Sequence, residues 1–187
     1  MALTDKLNNV AYCFAPKAEE PDMSKLKTAN DEMFAFMKQT GWFPTAGHLL
    51  DVGCGSDVSY FIQRFCKEFP EVLPVFLDNS ECIIKEVNAS NKLLADGERL
   101  PFAKEAFDIV YAGCVIDDGI RETNSTYGLA AEAKRVLKPE GAFIFTYVLG
   151  NDNSTKRSLE KQGFKEIMHL QRIGWKYEIP TDTYAAR

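Results

Sequence analysis

Three acids, Asp51, Asp78 and Asp96, each close a short apolar run, and the first leads into a glycine-rich turn, "LLDVGCGSDVSYF" over residues 49–61. Gly53 and Gly55 stand one residue apart, which suits a tight turn and a close approach of backbone to ligand. A dinucleotide fingerprint, G-x-G-x-x-G, needs glycine at the position held by Val58. The Lys and Ser/Thr of a phosphate-cradling loop are missing as well. A carboxylate two residues before the first glycine suits a ligand carrying a cationic group and repels a pyrophosphate. The residues therefore describe a small-molecule site, and the surrounding elements must bring them to one edge.

The elements do alternate in the required way. A helix is expected from about Ser24, with Leu26, Met33 and Met37 at helical spacing and Gly41 as its stop. "HLLDVG" reads as the first strand, and Val58, Phe61, Ile62, Phe65 and Phe69 line one face of a helix ending at Pro70. "LPVFLDNS" is a second strand, a helix follows near residues 80–88, and "KLLADG" is a third strand. "FDIVYAGCVI" is a fourth, nearly all apolar, as a strand buried on both faces should be. "TYGLAAEAKRVLK" is helical up to Pro139 and Gly141, "AFIFTYVL" is a fifth strand, and "STKRSLEKQG" is a short helix capped by Gly163. "FKEIMHLQRI" and "WKYEI" suggest a closing hairpin about Gly174. This alternation implies a doubly wound α/β sheet with helices on both faces, whose ligands bind beyond the carboxyl ends of the strands.

At that edge lie "DVGCGSD", "LDNS", "ADGE" and "AGCVIDD". Asp51 would meet an amine, Asp78 a ribose diol and Asp96 an exocyclic amine of adenine, with Glu98 able to share or replace the last. An amine, a ribose and an adenine together describe S-adenosylmethionine. On these segments the chain resembles a class I S-adenosylmethionine-dependent methyltransferase, of the small single-domain group that includes the ubiquinone/menaquinone-type (type 11) enzymes. "LLDVGCGSD" resembles the first motif, "VFLDNS" the ribose segment, "LLADGERLPFAKEAFDIVYA" the adenine segment and fourth strand, and "EAKRVLKPEGAFIF" the helix, turn and fifth strand.

The resemblance covers roughly residues 48–148; residues 149–187 fit a terminal helix and hairpin loosely, and residues 1–41 form an N-terminal helical cap segment of one domain spanning 1–187. It implies a Rossmann-like sheet of about seven strands with an antiparallel last strand. Carried over by position, Asp51, Gly53, Cys54 and Gly55 contact the methionine part of the cofactor. Asp78 and Asn79 serve the ribose, Asp96, Gly97 and Glu98 flank the adenine, and Ala112, Gly113 and Cys114 lie under the sulfonium. Asp117 and Asp118 stand where relatives often carry histidines, and are the candidate catalytic pair: a carboxylate takes a proton or holds a cationic acceptor. The histidines, His48 before the first strand and His169 in the hairpin, lie away from the acceptor side in this reading. Asp57 replaces a frequent family glycine, and a helix N-cap, worth about 1 kcal/mol, explains it better than a ligand contact. Tyr12 and Phe14 either close over the cofactor or pack in the core.

Composition narrows the partners. The 187 residues are 45% hydrophobic and 26% charged with net charge -5, ordinary for one globular domain. No basic run favours nucleic acid, and no apolar stretch approaches a membrane span. "MALTDKLNNV" lacks a signal-peptide pattern, so the expected location is the cytoplasm. The five cysteines are scattered without a C-x-x-C pair, which argues for reduced, mostly buried thiols and no metal site. The leading expectation is methyl transfer to a small molecule, with an open site and a macromolecular acceptor as an alternative. The rivals are a cofactor-binding pseudoenzyme or adaptor, and a nicotinamide oxidoreductase.

Overall fold

The computed structural model describes residues 44–55, 60–116, 125–148, 152–174 and 180–187, together with Ala35, Lys38, Gln39 and Gly41. The strands are β1 (Ala46–Val52), β2 (Glu71–Asp78), β3 (Lys92–Leu94), β4 (Phe107–Ile116), β5 (Leu137–Val148), β6 (Ile167–Gly174) and β7 (Pro180–Ala186). Between them run α1 (Tyr60–Glu68), α2 (Glu81–Glu86), α3 (Ser125–Val136) and α4 (Asp152–Lys161). The strands form one seven-stranded sheet in the order β3-β2-β1-β4-β5-β7-β6. β1 to β5 pair in parallel, β7 runs antiparallel to β5, and β6 is antiparallel to β7. This is the mostly parallel, doubly wound sheet that the motifs imply.

β1 lies between β2 and β4, so both of its edges are paired, and core layers cover both faces of its carboxyl half. Leu50 and Val52 face a layer built with Val110, Ala112, Phe143 and Phe145, closed by Leu129, Ala133 and Val136 of α3 and by Leu159 of α4. Leu49 faces the other layer, with Ile109, Tyr111 and Ile144, closed by Phe61, Ile62 and Phe65 of α1. Full burial explains why β1 and β4 read as continuous apolar runs rather than alternating ones. The sheet reverses its winding between β1 and β4. The ligand crevice of such a fold opens there, beyond the carboxyl ends of those strands.

Three expectations need correction. The strand that β6 pairs with is "PTDTYAA", Pro180–Ala186, which also pairs along β5 from Phe143↔Ala186 to Val148↔Thr181, while "WKYEI" lies outside the described residues. A buried central-edge position beside β5 selects small residues, and Ala185 and Ala186 are fully buried there. Next, the helix before Pro139 gives way early, since β5 begins at Leu137. The β4–β5 register shifts between Phe107↔Leu137 and Ile109↔Ala142, an irregularity that accommodates Pro139. Lys138 is tied to Asp108 at 2.8 Å, and a Cβ on Gly141 would meet Asp108 O and Lys138 O at 3.0 Å. Finally, His48 lies within β1, at its amino end, where its N–H donates to Asp108 Oδ2 at 2.9 Å. Of the described cysteines, Cys54 is buried, Cys66 half-buried and Cys82 exposed, so burial is not shared by all of them. The expected helix from Ser24 lies mostly outside the described residues, as do Tyr12, Phe14 and Asp57; Ala35, Lys38 and Gln39 are helical and Gly41 follows at φ +68°.

Candidate functional site

The turn after β1 is fastened to the end of β2. Leu77 C=O accepts from Gly53 N–H at 2.7 Å and from Cys54 N–H at 3.1 Å. Gly53 and Gly55 both take left-handed backbone, φ +66° and +67°, a conformation that side chains with a Cβ disfavour. Asp78 then organises the same turn from below. Its Oδ1 accepts from Ser80 N–H at 2.9 Å and its Oδ2 from Gly55 N–H at 3.3 Å. One carboxylate thus holds two backbone segments at the carboxyl edge while remaining almost fully buried.

Asp51 sits one residue before the end of β1, 1% exposed, and its Oδ2 has no hydrogen-bond partner. Burial, and secondarily the neighbouring Asp78 charge, push its carboxyl up to about 8. A buried carboxylate oxygen without a partner is costly, which makes Asp51 a functional-site candidate rather than a packing residue. Cys54 is buried in the same place, and burial followed by the Asp51 and Asp78 charges pushes its thiol up to about 12. Cys54 is therefore a protonated packing group, not a nucleophile.

The third acid is different. Asp96 is exposed, and its Oδ1 accepts from Glu98 N–H at 2.9 Å while its carbonyl accepts from Arg99 N–H at 3.0 Å. Its loop is drawn toward Asp78 by a bond from Ala95 N–H to Asp78 C=O at 3.0 Å. Gly97 packs so closely over Val52 that a Cβ there would lie 2.9 Å from Val52 Cγ1. The Glu98 side chain runs over Gly128 of α3, where a Cβ would meet it at 3.1 Å. Ala112 is buried and Gly113 half-buried on β4, and Asn79 is exposed after β2. The structure thus joins Asp51, Gly53, Cys54, Gly55 and Asp78 directly and brings the Asp96 loop alongside. The Cys114 side chain, Asp117 and Asp118 lie outside what is described.

Two features escape the sequence reading. Tyr111 of β4 is the register partner of Asp51 on β1. The second is a clamp on the loop that follows Asp96. Arg135 donates to Leu100 O at 2.8 Å and Phe102 O at 2.7 Å, while Glu132 accepts from Arg135 and from Leu100 N–H, each at 2.7 Å. The i, i+3 spacing of Glu132 and Arg135 on a helix was the signal that could have found the pair. Arg135→Ala leaves two carbonyls without their donor and Glu132 with the Leu100 N–H but no counter-charge, so unfolding stability should fall by about 2–4 kcal/mol in urea titrations. Hydrogen bonding from Arg135 holds Glu132 below the usual carboxylate range. That contribution is present above the ordinary glutamate range and disappears as pH falls through the lowered folded value.

The sheet order and the crevice at its reversal define a Rossmann-like α/β domain with its site at the carboxyl edge. The chain belongs to the methyltransferase domain family, whose model matches residues 50–145, just over half of the chain. It is 36% identical over 110 residues to the ubiquinone/menaquinone biosynthesis C-methyltransferase UbiE of Dinoroseobacter shibae, covering 53% of this chain and 41% of that protein. It is 26% identical over 133 residues to the malonyl-[acyl-carrier protein] O-methyltransferase of Legionella pneumophila, covering 67% and 44%. The chain thus spans less than half the length of these curated relatives. Among solved structures, phosphoethanolamine N-methyltransferase 2 of Haemonchus contortus, in complex with phosphomonomethylethanolamine and S-adenosylhomocysteine, superposes with a TM-score of 0.65 at 16% identity, covering 83% of this chain and 52% of that one. That likeness concerns the fold.

Proposed function

We propose that the chain binds S-adenosylmethionine and transfers its methyl group to an acceptor, most simply a small molecule. The observation that carries this reading is the buried Asp51 carboxylate, whose Oδ2 lacks a partner, beside Asp78 and a left-handed glycine turn, within a domain of the methyltransferase family. An ammonium is the ligand group that such a carboxylate lacks; a pyrophosphate would be repelled by it, which disfavours a nicotinamide cofactor. The residues present fit the cofactor. Asp51 would meet the amino-acid end, Gly53 to Gly55 would let the backbone approach it, and Asp78 keeps acceptor capacity toward a ribose diol. Asp96, Gly97 and Glu98 would border the adenine, and Ala112 to Cys114 the sulfonium. When bound, the cofactor supplies an already activated methyl group. The chain then has to align the acceptor in line and exclude water. Among the described residues no helix is long and apolar enough to cross a membrane, and a cytoplasmic location is part of the proposal.

Asp117 and Asp118 are proposed to face the acceptor. A carboxylate with a reference pKa of about 4 is a weak base for an alcohol. It is a better partner for an amine, which favours a nitrogen or an already acidic oxygen acceptor. Asp117→Asn or Asp118→Asn should reduce turnover tenfold or more, about 1.4 kcal/mol per decade, with cofactor affinity kept. Parent-like turnover in both variants would leave these acids as a solvated loop. The reading itself is tested by methyl transfer from labelled S-adenosylmethionine across amines, phenols, carboxylic acids, active-methylene carbons and carrier-bound acyl groups. Transfer to one class supports it. Cofactor binding without transfer to any of them would favour the pseudoenzyme or adaptor.

A further inference from the structure

Tyr111 carries a polar atom along β4 toward the same edge of the sheet. Its Cα is the register partner of Asp51 across the β1–β4 ladder, so the two side chains share one face of the sheet. The ring stacks on Phe61 of α1, centroids 4.6 Å apart and planes 11° apart, which fixes its direction. That direction is toward the carboxyl edge. A Cβ built on Gly113, two residues further along β4, would lie 2.8 Å from Tyr111 Oη and 2.9 Å from Cε1. The hydroxyl therefore occupies space that exists because residue 113 has no side chain. It lies beside the Gly113 backbone proposed to border the sulfonium, on the strand that pairs with β1 at Asp51. The residue is 8% exposed, and Asp51 beside it holds a buried carboxylate oxygen without a partner.

We infer that the Tyr111 hydroxyl and the Asp51 carboxylate together form the subsite for the α-ammonium of the cofactor, the phenol oxygen accepting one of its hydrogen bonds. This rests on the proposed function and deepens it. An ammonium has three N–H donors and no acceptor, so it needs several oxygens converging on one point. A carboxylate and a hydroxyl paired across two strands supply two. Phe61 and Gly113 are positioning residues in this scheme: one holds the plane of the ring, the other makes room for its tip.

Tyr111→Phe keeps the ring and its stacking and removes only the oxygen. Binding of S-adenosylhomocysteine and of methylthioadenosine, which lacks the amino-acid end, should be measured by calorimetry for the parent and for this variant. S-adenosylhomocysteine should bind about tenfold more weakly to the variant, as for loss of a hydrogen bond to a charged group, with methylthioadenosine unchanged. Parent-like affinity for S-adenosylhomocysteine in Tyr111→Phe would overturn the inference. So would an equal loss for both ligands, since that is what a general disturbance of the pocket produces. If the parent binds neither ligand, the proposed function fails and the Tyr111 subsite falls with it.

Discussion

Asp78→Ala should weaken binding of S-adenosylhomocysteine ten- to hundredfold, about 1.5–3 kcal/mol, while the variant still folds. Two losses combine. The proposed acceptor for the ribose hydroxyls disappears, and so do the bonds from Gly55 N–H and Ser80 N–H that hold the glycine turn against β2. Leu77 still grips the turn through Gly53 and Cys54, so the variant keeps one anchor and the sheet is untouched. Asp78→Asn is the informative companion. Its amide oxygen can accept from Ser80 as before, but its NH₂ group cannot accept at the second position. An intermediate loss is expected. An unchanged affinity in a folded Asp78→Ala chain would remove this residue from the ligand site and leave it as a fastener of the turn.

The second large effect concerns Asp51 and pH. An acid whose carboxyl is pushed up to about 8 by burial and by Asp78 is stable in the fold when protonated. Its contribution is fully present below the unfolded value of about 4, and it is lost as pH rises through 8. Over that interval this group alone makes the cofactor-free chain less stable by up to about 1.4 kcal/mol per pH unit. Asp51→Asn removes the charge and keeps the shape. It should match the parent below about pH 4 and exceed it by several kcal/mol near pH 8 in urea unfolding. The groups around it do not reverse the sign. Asp78 on β2 adds negative charge, Tyr111 lies on β4, and the thiols of Cys54 and Cys66 are both raised by burial and by Asp51 itself. The same substitution should weaken binding of the proposed cofactor, because the ammonium loses its counter-charge. A variant that is more stable and binds less well separates a ligand-binding acid from a structural one. Equal pH slopes in parent and variant would show that Asp51 is not the titrating group.

The fold was legible where burial dictates residue type. The carboxyl half of β1 is buried on both faces by the two core layers, so an acid there needs a reason, and Asp51 stood out for that reason. The glycine turn was legible because Gly53 and Gly55 both need left-handed backbone. The strand that closes the sheet was not. "PTDTYAA" has small and polar residues where a strand reading looks for large apolar ones, and the residues that it buries, Ala185 and Ala186 in opposite core layers, are small. The start of β5 was hidden in a similar way, because Pro139 looks like a stop but sits in a register irregularity.

Within the site, the positions of the three acids could be read from strand ends, but not their surroundings. Asp51 and Asp78 are buried, whereas Asp96 is exposed and caps its own loop. Tyr111 was invisible for a different reason. In "FDIVYAGCVI" it counts as one more large residue of a buried strand, and only the pairing with β1 puts it opposite Asp51. Likewise Gly113 reads as a weak point of a strand until its neighbour's ring is seen to fill the gap.

Calorimetric titration of the chain with S-adenosylmethionine, S-adenosylhomocysteine and NAD, run side by side at pH 7.5, tests the central claim most directly. Both S-adenosyl ligands should bind at one site, each excluding the other, and NAD should give no comparable signal. Binding of NAD with no response to either S-adenosyl ligand would contradict the account, because the site would then take a dinucleotide in place of the ligand whose ammonium answers Asp51.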